Sequence, residues 1–245
     1  MAHAPRVMLI DIARTCAIVA MAIFHFTYDL ELFGFAPRGT MTSFGWVWFA
    51  RCIAGSFIFL SGVSLVLASL SGPVDLRKYA RRMAVLGAAA LAVSLGTYVA
   101  MGAAFVRFGV LHHLFLAGLL GLVFLRLPYW VTAALGVVVL SMPLWSVWPF
   151  FDSVGWLWLG KVSTGTPAMV DYVPMLPWFG MYLLGMGIAG GVNAFGGWAR
   201  LAGLAHADNR LVRALSWPGQ HSLAIYLIHQ PVLFGIVYTA RLLAG

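Results

Sequence analysis

Seven apolar stretches follow one another along this chain, each close to the ~20 residues a helix needs to cross a hydrocarbon core. They run over roughly 7–28, 44–71, 80–102, 108–127, 129–149, 171–194 and 216–243. A backbone in lipid must satisfy its own hydrogen bonds, so runs of this kind are helices. Composition agrees: 62% of residues are hydrophobic and 9% charged, outside the range of soluble domains. The expected fold class is all-α, a polytopic membrane helical bundle of about seven transmembrane helices. Too little chain remains for a soluble domain, so residues 1–245 read as a single domain.

Lysine and arginine set the direction, because they concentrate on the cytoplasmic side. With the N-terminus cytoplasmic, the inner side and its flanks hold Arg6, Arg14, Arg77, Lys78, Arg81, Arg82, Arg126, Arg200, Arg210 and Arg213. The outer side holds Arg38, Arg51, Arg107, Lys161 and Arg241. The bias predicts a multi-pass protein of the cell inner membrane, N-terminus inside and C-terminus outside. It also accounts for the net charge of +8. Nucleic-acid binding is excluded, since these residues punctuate helix ends and build no basic face. Asp11 and Arg14 interrupt the first apolar run and no small-x-small site follows, so it reads as a retained helix and not a signal peptide. Cys16 and Cys52 lie within predicted spans without metal spacing, and no metal is expected.

Within the first stretch, Arg14 and His25 are eleven steps apart. At 100° per residue they return to within roughly 20° of each other, about 16 Å apart along one helix face. Asp11 and Asp29 fall near that stripe. Ile18 and Met21 lie along its middle, with small Ala17 and Ala22 at its margins. Ionisable side chains in a bilayer are costly and mark functional paths. Each member also has a plain structural reading: Asp11 pairing with Arg14 at i, i+3, and ordinary packing for Ile18 and Met21. Asp29, one turn beyond His25, can orient or polarise its ring.

Other polar residues fall at similar depth in the outer half. His112 and His113 begin the fourth stretch, Asp171 opens the sixth, and His229 sits in the seventh with Ser222, Tyr226 and Gln230. Adjacent His112 and His113 point to different faces, so at most one can serve a given site. Arg51 and Arg107 either reach the same region or snorkel to the surface. For His113, His206 and His221 a hydrogen-bonded structural role is the simpler reading. Lys78, Arg81, Arg82 and Arg213 read first as topology determinants. Trp156 and Trp158 suit an outer interfacial segment. Gly187 and Gly191 form a small-xxx-small pair for close helix packing.

The segment I-D-I-A-R-T-C-A-I-V-A-M-A-I-F-H-F-T-Y-D-L (10–30) resembles bacterial membrane proteins grouped with the heparan-α-glucosaminide N-acetyltransferase catalytic domain. So do G-S-F-I-F-L-S-G-V-S-L (55–65), R-F-G-V-L-H-H-L (107–114), D-Y-V-P-M-L-P-W-F-G (171–180) and H-S-L-A-I-Y-L-I-H-Q-P-V-L (221–233). These follow in order over nearly the whole chain. The Arg-x10-His spacing and the Y-L-I-H-Q-P ending are also similar to acyltransferase type 3 proteins. Thr15 departs from the pattern, where glycine is common.

The resemblance implies transmembrane acyl transfer from cytosolic acyl-CoA, acetyl-CoA as the expected co-substrate, to a hydroxyl or amine on the far side. A sugar or glycan is the expected acceptor. Arg14 takes the arginine and His25 the histidine position of the signature. Donor binding then falls to Asp11, Arg14, Ala17, Ile18, Met21, Ala22, Arg81 and Arg82, with cytoplasmic arginines on the phosphates. His25 can act as general base or carry the acyl group, with Asp29 beside it. Arg51, Arg107, His112, Tyr226, His229 and Gln230 are candidates for the acceptor or the oxyanion. Partners are acyl-CoA, the glycan acceptor and membrane lipid, with a homodimer left open. A non-catalytic subunit of a larger assembly, a proton-coupled transporter and a haem protein remain as alternatives.

Overall fold

The structure is a computed structural model and describes residues 7–70, 72–145, 154–160, 169–204 and 209–244. Arg6, Lys161 and His206 lie outside the described residues. In chain order the helices are α1 (Met8–Leu32), α2 (Phe44–Leu70), α3 (Leu76–Met101), α4 (Val110–Phe124), α5 (Tyr129–Trp145), α6 (Met175–Ala194), α7 (Gly197–Leu204), α8 (Arg210–Gln220) and α9 (Ser222–Ala244). The all-α expectation holds: among the described residues no strand forms, and Phe108 and Tyr172 make an isolated parallel bridge.

Five of these, α1, α2, α3, α6 and α9, are long and apolar enough to cross a membrane. The expected fourth and fifth spans are α4 and α5, apolar but only 15 and 17 residues long. At 1.5 Å per residue they measure about 22 and 26 Å, short of a ~30 Å core. Two boundaries differ from the sequence reading. The seventh span begins at Ser222 and not at 216, because Pro218 cannot continue the hydrogen-bond ladder and α8 ends two residues later. Asp171 does not open α6, which starts at Met175 after Pro174.

Local chemistry fixes several ends. Asp75 caps α3 by accepting from the backbone N–H groups of Arg77 and Lys78 at 3.0 and 3.1 Å. Past α1, the Glu31 carboxylate accepts from the N–H groups of Gly39 and Met41 at 2.7 and 2.8 Å, which ties down the loop into α2.

The chain divides into two compact units. One comprises Arg6–Phe57 with Ala199–Gly245, and so holds α1, the first half of α2, α8 and α9. Its contacts climb α1 and the C-terminal helices in the same order. Thr15 meets Gly219, His25 meets His229, Asp29 meets Gln230, and Phe33 meets Phe234 and Tyr238. Helix α1 therefore runs parallel to α9.

The second unit, Ile58–Trp198 among the described residues, holds the rest of α2 and α3 to α6. Tyr79 donates to the Gly118 carbonyl at 2.7 Å, while Ser94 meets His112 at 3.1 Å, so α3 and α4 are antiparallel. Helices α5 and α6 are also antiparallel and closely packed: a Cβ on Gly180 would lie 2.6 Å from the Gly136 carbonyl, and one on Gly187 would lie 2.7 Å from Ala133. Gly187 thus makes the expected close approach, whereas a Cβ on Gly191 would meet only the Tyr129 ring at 3.4 Å. In the described part of the outer segment, the rings of Trp156 and Trp158 lie 6.0 Å apart.

Candidate active site

The stripe read from the first apolar run is a real face of α1. At its inner end the Arg14 guanidinium holds the Asp11 carboxylate at 2.8 Å, the i, i+3 pair expected from spacing. Asp11 is nearly inaccessible, and Arg14 keeps a fifth of its side-chain surface open. A buried acid is costly unless paired, and Arg14 lowers that cost.

Further along, Ala17 is buried, and Ile18 and Met21 are 5% and 3% exposed. Ile18 and Met21 form a cluster with Ile53, edged by half-buried Phe24, Phe49, Phe57, Ile225 and Tyr226. The middle of the stripe is therefore packed wall. Ala22, at its margin, is half-buried.

The outer end carries the chemistry. The rings of His25 on α1 and His229 on α9 lie edge to face, with centroids 4.9 Å apart. Nδ1 of His229 is 2.7 Å from the Tyr226 carbonyl oxygen. A carbonyl only accepts, so Nδ1 carries the proton and the neutral ring presents a lone pair at Nε2. That Nε2 is buried with no hydrogen-bond partner.

Asp29 is fully buried one turn beyond His25. It was expected to orient the His25 ring, but Oδ1 instead accepts from Nε2 of Gln230 at 2.9 Å. The parallel register of α9 brings the amide within reach, and the second carboxylate oxygen is buried without a partner. Oε1 of Gln230 is likewise buried and unpartnered. Asp29 Oδ2, His229 Nε2 and Gln230 Oε1 are all acceptors, and buried polar atoms ordinarily find partners.

Other expected residues are placed as follows. Arg51 is exposed on α2, its guanidinium 5.1 Å from the Trp48 ring centroid. In the second unit, Arg81 and Arg82 are exposed near the start of α3. Arg107 donates to the Ala103 carbonyl at 3.0 Å and lies 4.4 Å from the Phe105 ring centroid. His112 is held by Ser94 and by the Gly109 N–H. His113 is fully buried, with Nδ1 donating to the Pro174 carbonyl at 3.2 Å, the structural role expected of it. Asp171 accepts from the Val110 N–H at 2.9 Å and thereby caps α4. Burial pushes its carboxyl above the usual carboxylate range, and that N–H opposes the shift.

One junction escaped the sequence reading. The Thr15 hydroxyl donates to the Asp11 carbonyl at 3.1 Å and accepts from the Gly219 N–H at 2.9 Å. Gly219 sits against the Asp11 carbonyl so closely that a Cβ there would overlap it. Thr15, the departure from the family pattern, locks α1 to α8 beside Arg14. The only signal was the P-G pair at Pro218 and Gly219.

The family model for heparan-alpha-glucosaminide N-acetyltransferase, catalytic, matches residues 6–231. No curated protein and no solved structure matches the chain.

Proposed function

The chain belongs to the heparan-α-glucosaminide N-acetyltransferase catalytic family, a family of membrane acetyltransferases, and from that premise we propose that it moves an acetyl group from cytosolic acetyl-CoA to a sugar hydroxyl or amine. The acceptor stands at the outer side of the inner membrane, and residues 1–245 act as one domain. The observation that carries the reading is the outer end of α1. His25 lies against His229, on the same two helices as three buried acceptor atoms that lack donors. Hydroxyls and amines supply those donors, and an imidazole is the side chain suited to either proton or acyl transfer near neutral pH.

Sidedness rests on register and charge. Parallel α1 and α9 require an odd number of crossings between them. Five crossings, α2 to α6, satisfy this, and α4 and α5 then pack antiparallel to the spanning helices α3 and α6. Seven spans with the N-terminus inside put Arg14 toward the cytoplasm and His25 about 16 Å further out. In the donor site Arg14, beside Asp11, meets the CoA phosphates, and Arg81 and Arg82 add positive charge to the same face of the membrane. The arm follows the face of Ala17, Ile18, Met21 and Ala22 along its half-buried margin, at Ala22, Phe49 and Phe57.

The test is transfer by the purified chain in vesicles, with labelled acetyl-CoA on the side of the N-terminus and glucosamine on the other. Labelled product should form and should vanish in His25→Ala. A His25→Ala protein that keeps wild-type turnover would move the reacting centre elsewhere.

A further inference from the structure

Helix α8 shows a surface that its packing does not explain. Its 11 residues span about 16 Å, too short to cross a bilayer, and it ends where the spanning helix α9 begins. Gly219 meets Thr15 and the Asp11 carbonyl, which puts the end of α8 at the inner end of α1. At about 100° per residue its side chains fall on three faces. One edge, with Ser216 and Gly219, is buried. On one side of that edge lie Leu211, Pro218 and Leu215, and the two leucines are 65% and 44% exposed. On the other side lie Arg210, Arg213 and Trp217, all exposed, and exposed Ala214 separates the two flanks. Among the described residues neither guanidinium has an ion pair or a hydrogen-bond partner. Both arginines fall in the first four positions of the helix, where positive charge opposes the helix dipole. Their charge therefore adds nothing to α8 itself.

We propose that α8 is an interfacial anchor that binds anionic phospholipid. Leu211 and Leu215 enter the acyl boundary, Arg210 and Arg213 hold lipid phosphates, and the Trp217 ring sits at headgroup level. An apolar flank beside a basic one is what lets a helix lie in the plane of a membrane surface. Guanidinium groups suit phosphate because their planar donors meet its oxygens two at a time. The occupant is lipid and not free phosphate, because the leucine flank calls for acyl chains beside the anion. With the N-terminus inside, α8 faces the leaflet in which anionic lipids concentrate. Lipid held there braces the inner end of α1, since the buried edge of α8 is the one that docks on Thr15. None of this depends on which group the site near His25 transfers.

Local quenching tests this in the full chain. With Cys16 and Cys52 replaced by serine, a fluorophore on Ala214→Cys is read in phosphatidylcholine vesicles. The quencher is a nitroxide near the top of the acyl chain of either phosphatidylglycerol or phosphatidylcholine. Phosphatidylglycerol should quench at lower content than phosphatidylcholine, and added salt should narrow the difference. Arg210→Gln and Arg213→Gln should each weaken the apparent phosphatidylglycerol affinity roughly fivefold. Arg38→Gln, in the exposed loop after α1, should leave it unchanged. An unchanged tryptophan melting transition shows that the variants are folded. Equal quenching by the two lipids would overturn the binding of anionic lipid. So would a preference that survives Arg210→Gln with Arg213→Gln, which would leave those arginines as topology determinants alone. Quenching by neither lipid would overturn the interfacial placement of α8. Loss of the preference on adding inorganic phosphate at constant ionic strength would show a phosphate site in place of a lipid one.

Discussion

Replacing Gln230 by leucine removes the one donor to a carboxylate that the protein buries completely. Oδ2 of Asp29 already lacks a partner, so the variant leaves both oxygens without one. A hydrogen bond to a charged group contributes about 1.5–3 kcal/mol, and stripping the partner from a buried charge costs about 3–5 kcal/mol. Leucine fills a similar volume and returns part of the loss, so Gln230→Leu should cost about 2–4 kcal/mol. Asp29→Asn should cost less, because an amide oxygen still accepts from Gln230. The double variant Asp29→Leu with Gln230→Leu should recover much of the loss, since it removes both polar groups. Thermal unfolding in detergent of wild type, Asp29→Leu, Gln230→Leu and the double variant, read by intrinsic tryptophan fluorescence and by loss of the monodisperse peak, gives the four corners of the cycle. A coupling energy within ~0.5 kcal/mol of zero, the level expected of independent sites, would refute the pairing.

Further outcomes follow from the same geometry. Arg14→Ala should weaken acetyl-CoA binding by the roughly 1.5–3 kcal/mol of a charge-assisted contact, measured by calorimetry; unchanged affinity in a folded variant would remove Arg14 from the donor site. Gly219→Ala should lower the unfolding temperature, because its Cβ would overlap the Asp11 carbonyl and overpacking costs about 1–3 kcal/mol; an unchanged transition would contradict the α1–α8 junction. A cysteine at Thr42, in the exposed loop after α1, should react with an impermeant reagent in intact cells, and one at Pro73 only after lysis. The reverse pattern would invert the topology.

The spans were legible because lipid demands long apolar runs, and α1 shows the point at residue level. The Asp11–Arg14 pair followed from i, i+3 spacing alone. Asp29 did not, since its partner lies 201 residues away and the register of α9 against α1 leaves no mark in local spacing. The break at His221 lies within P-G-Q-H-S (218–222), a polar interruption that a span starting at 216 runs across. Ile18 and Met21 read from the sequence first as ordinary packing, and the rings from α2 and α9 around them make that wall. His229 was grouped with His25 by depth, but only the Tyr226 carbonyl fixed which nitrogen is free.

The separation of Asp29 from Gln230 has a consequence for how the chain is made. Synthesis proceeds at about 5–20 residues per second, so α1 emerges some ten to forty seconds before the helix that completes it. During that interval a carboxyl and an imidazole sit in a nascent helix whose partners have not left the ribosome. Until α9 arrives, only water, lipid headgroups or other protein can satisfy those two groups. A message truncated ahead of Gln230 would yield a chain whose Asp29 lacks the donor it has in the folded protein.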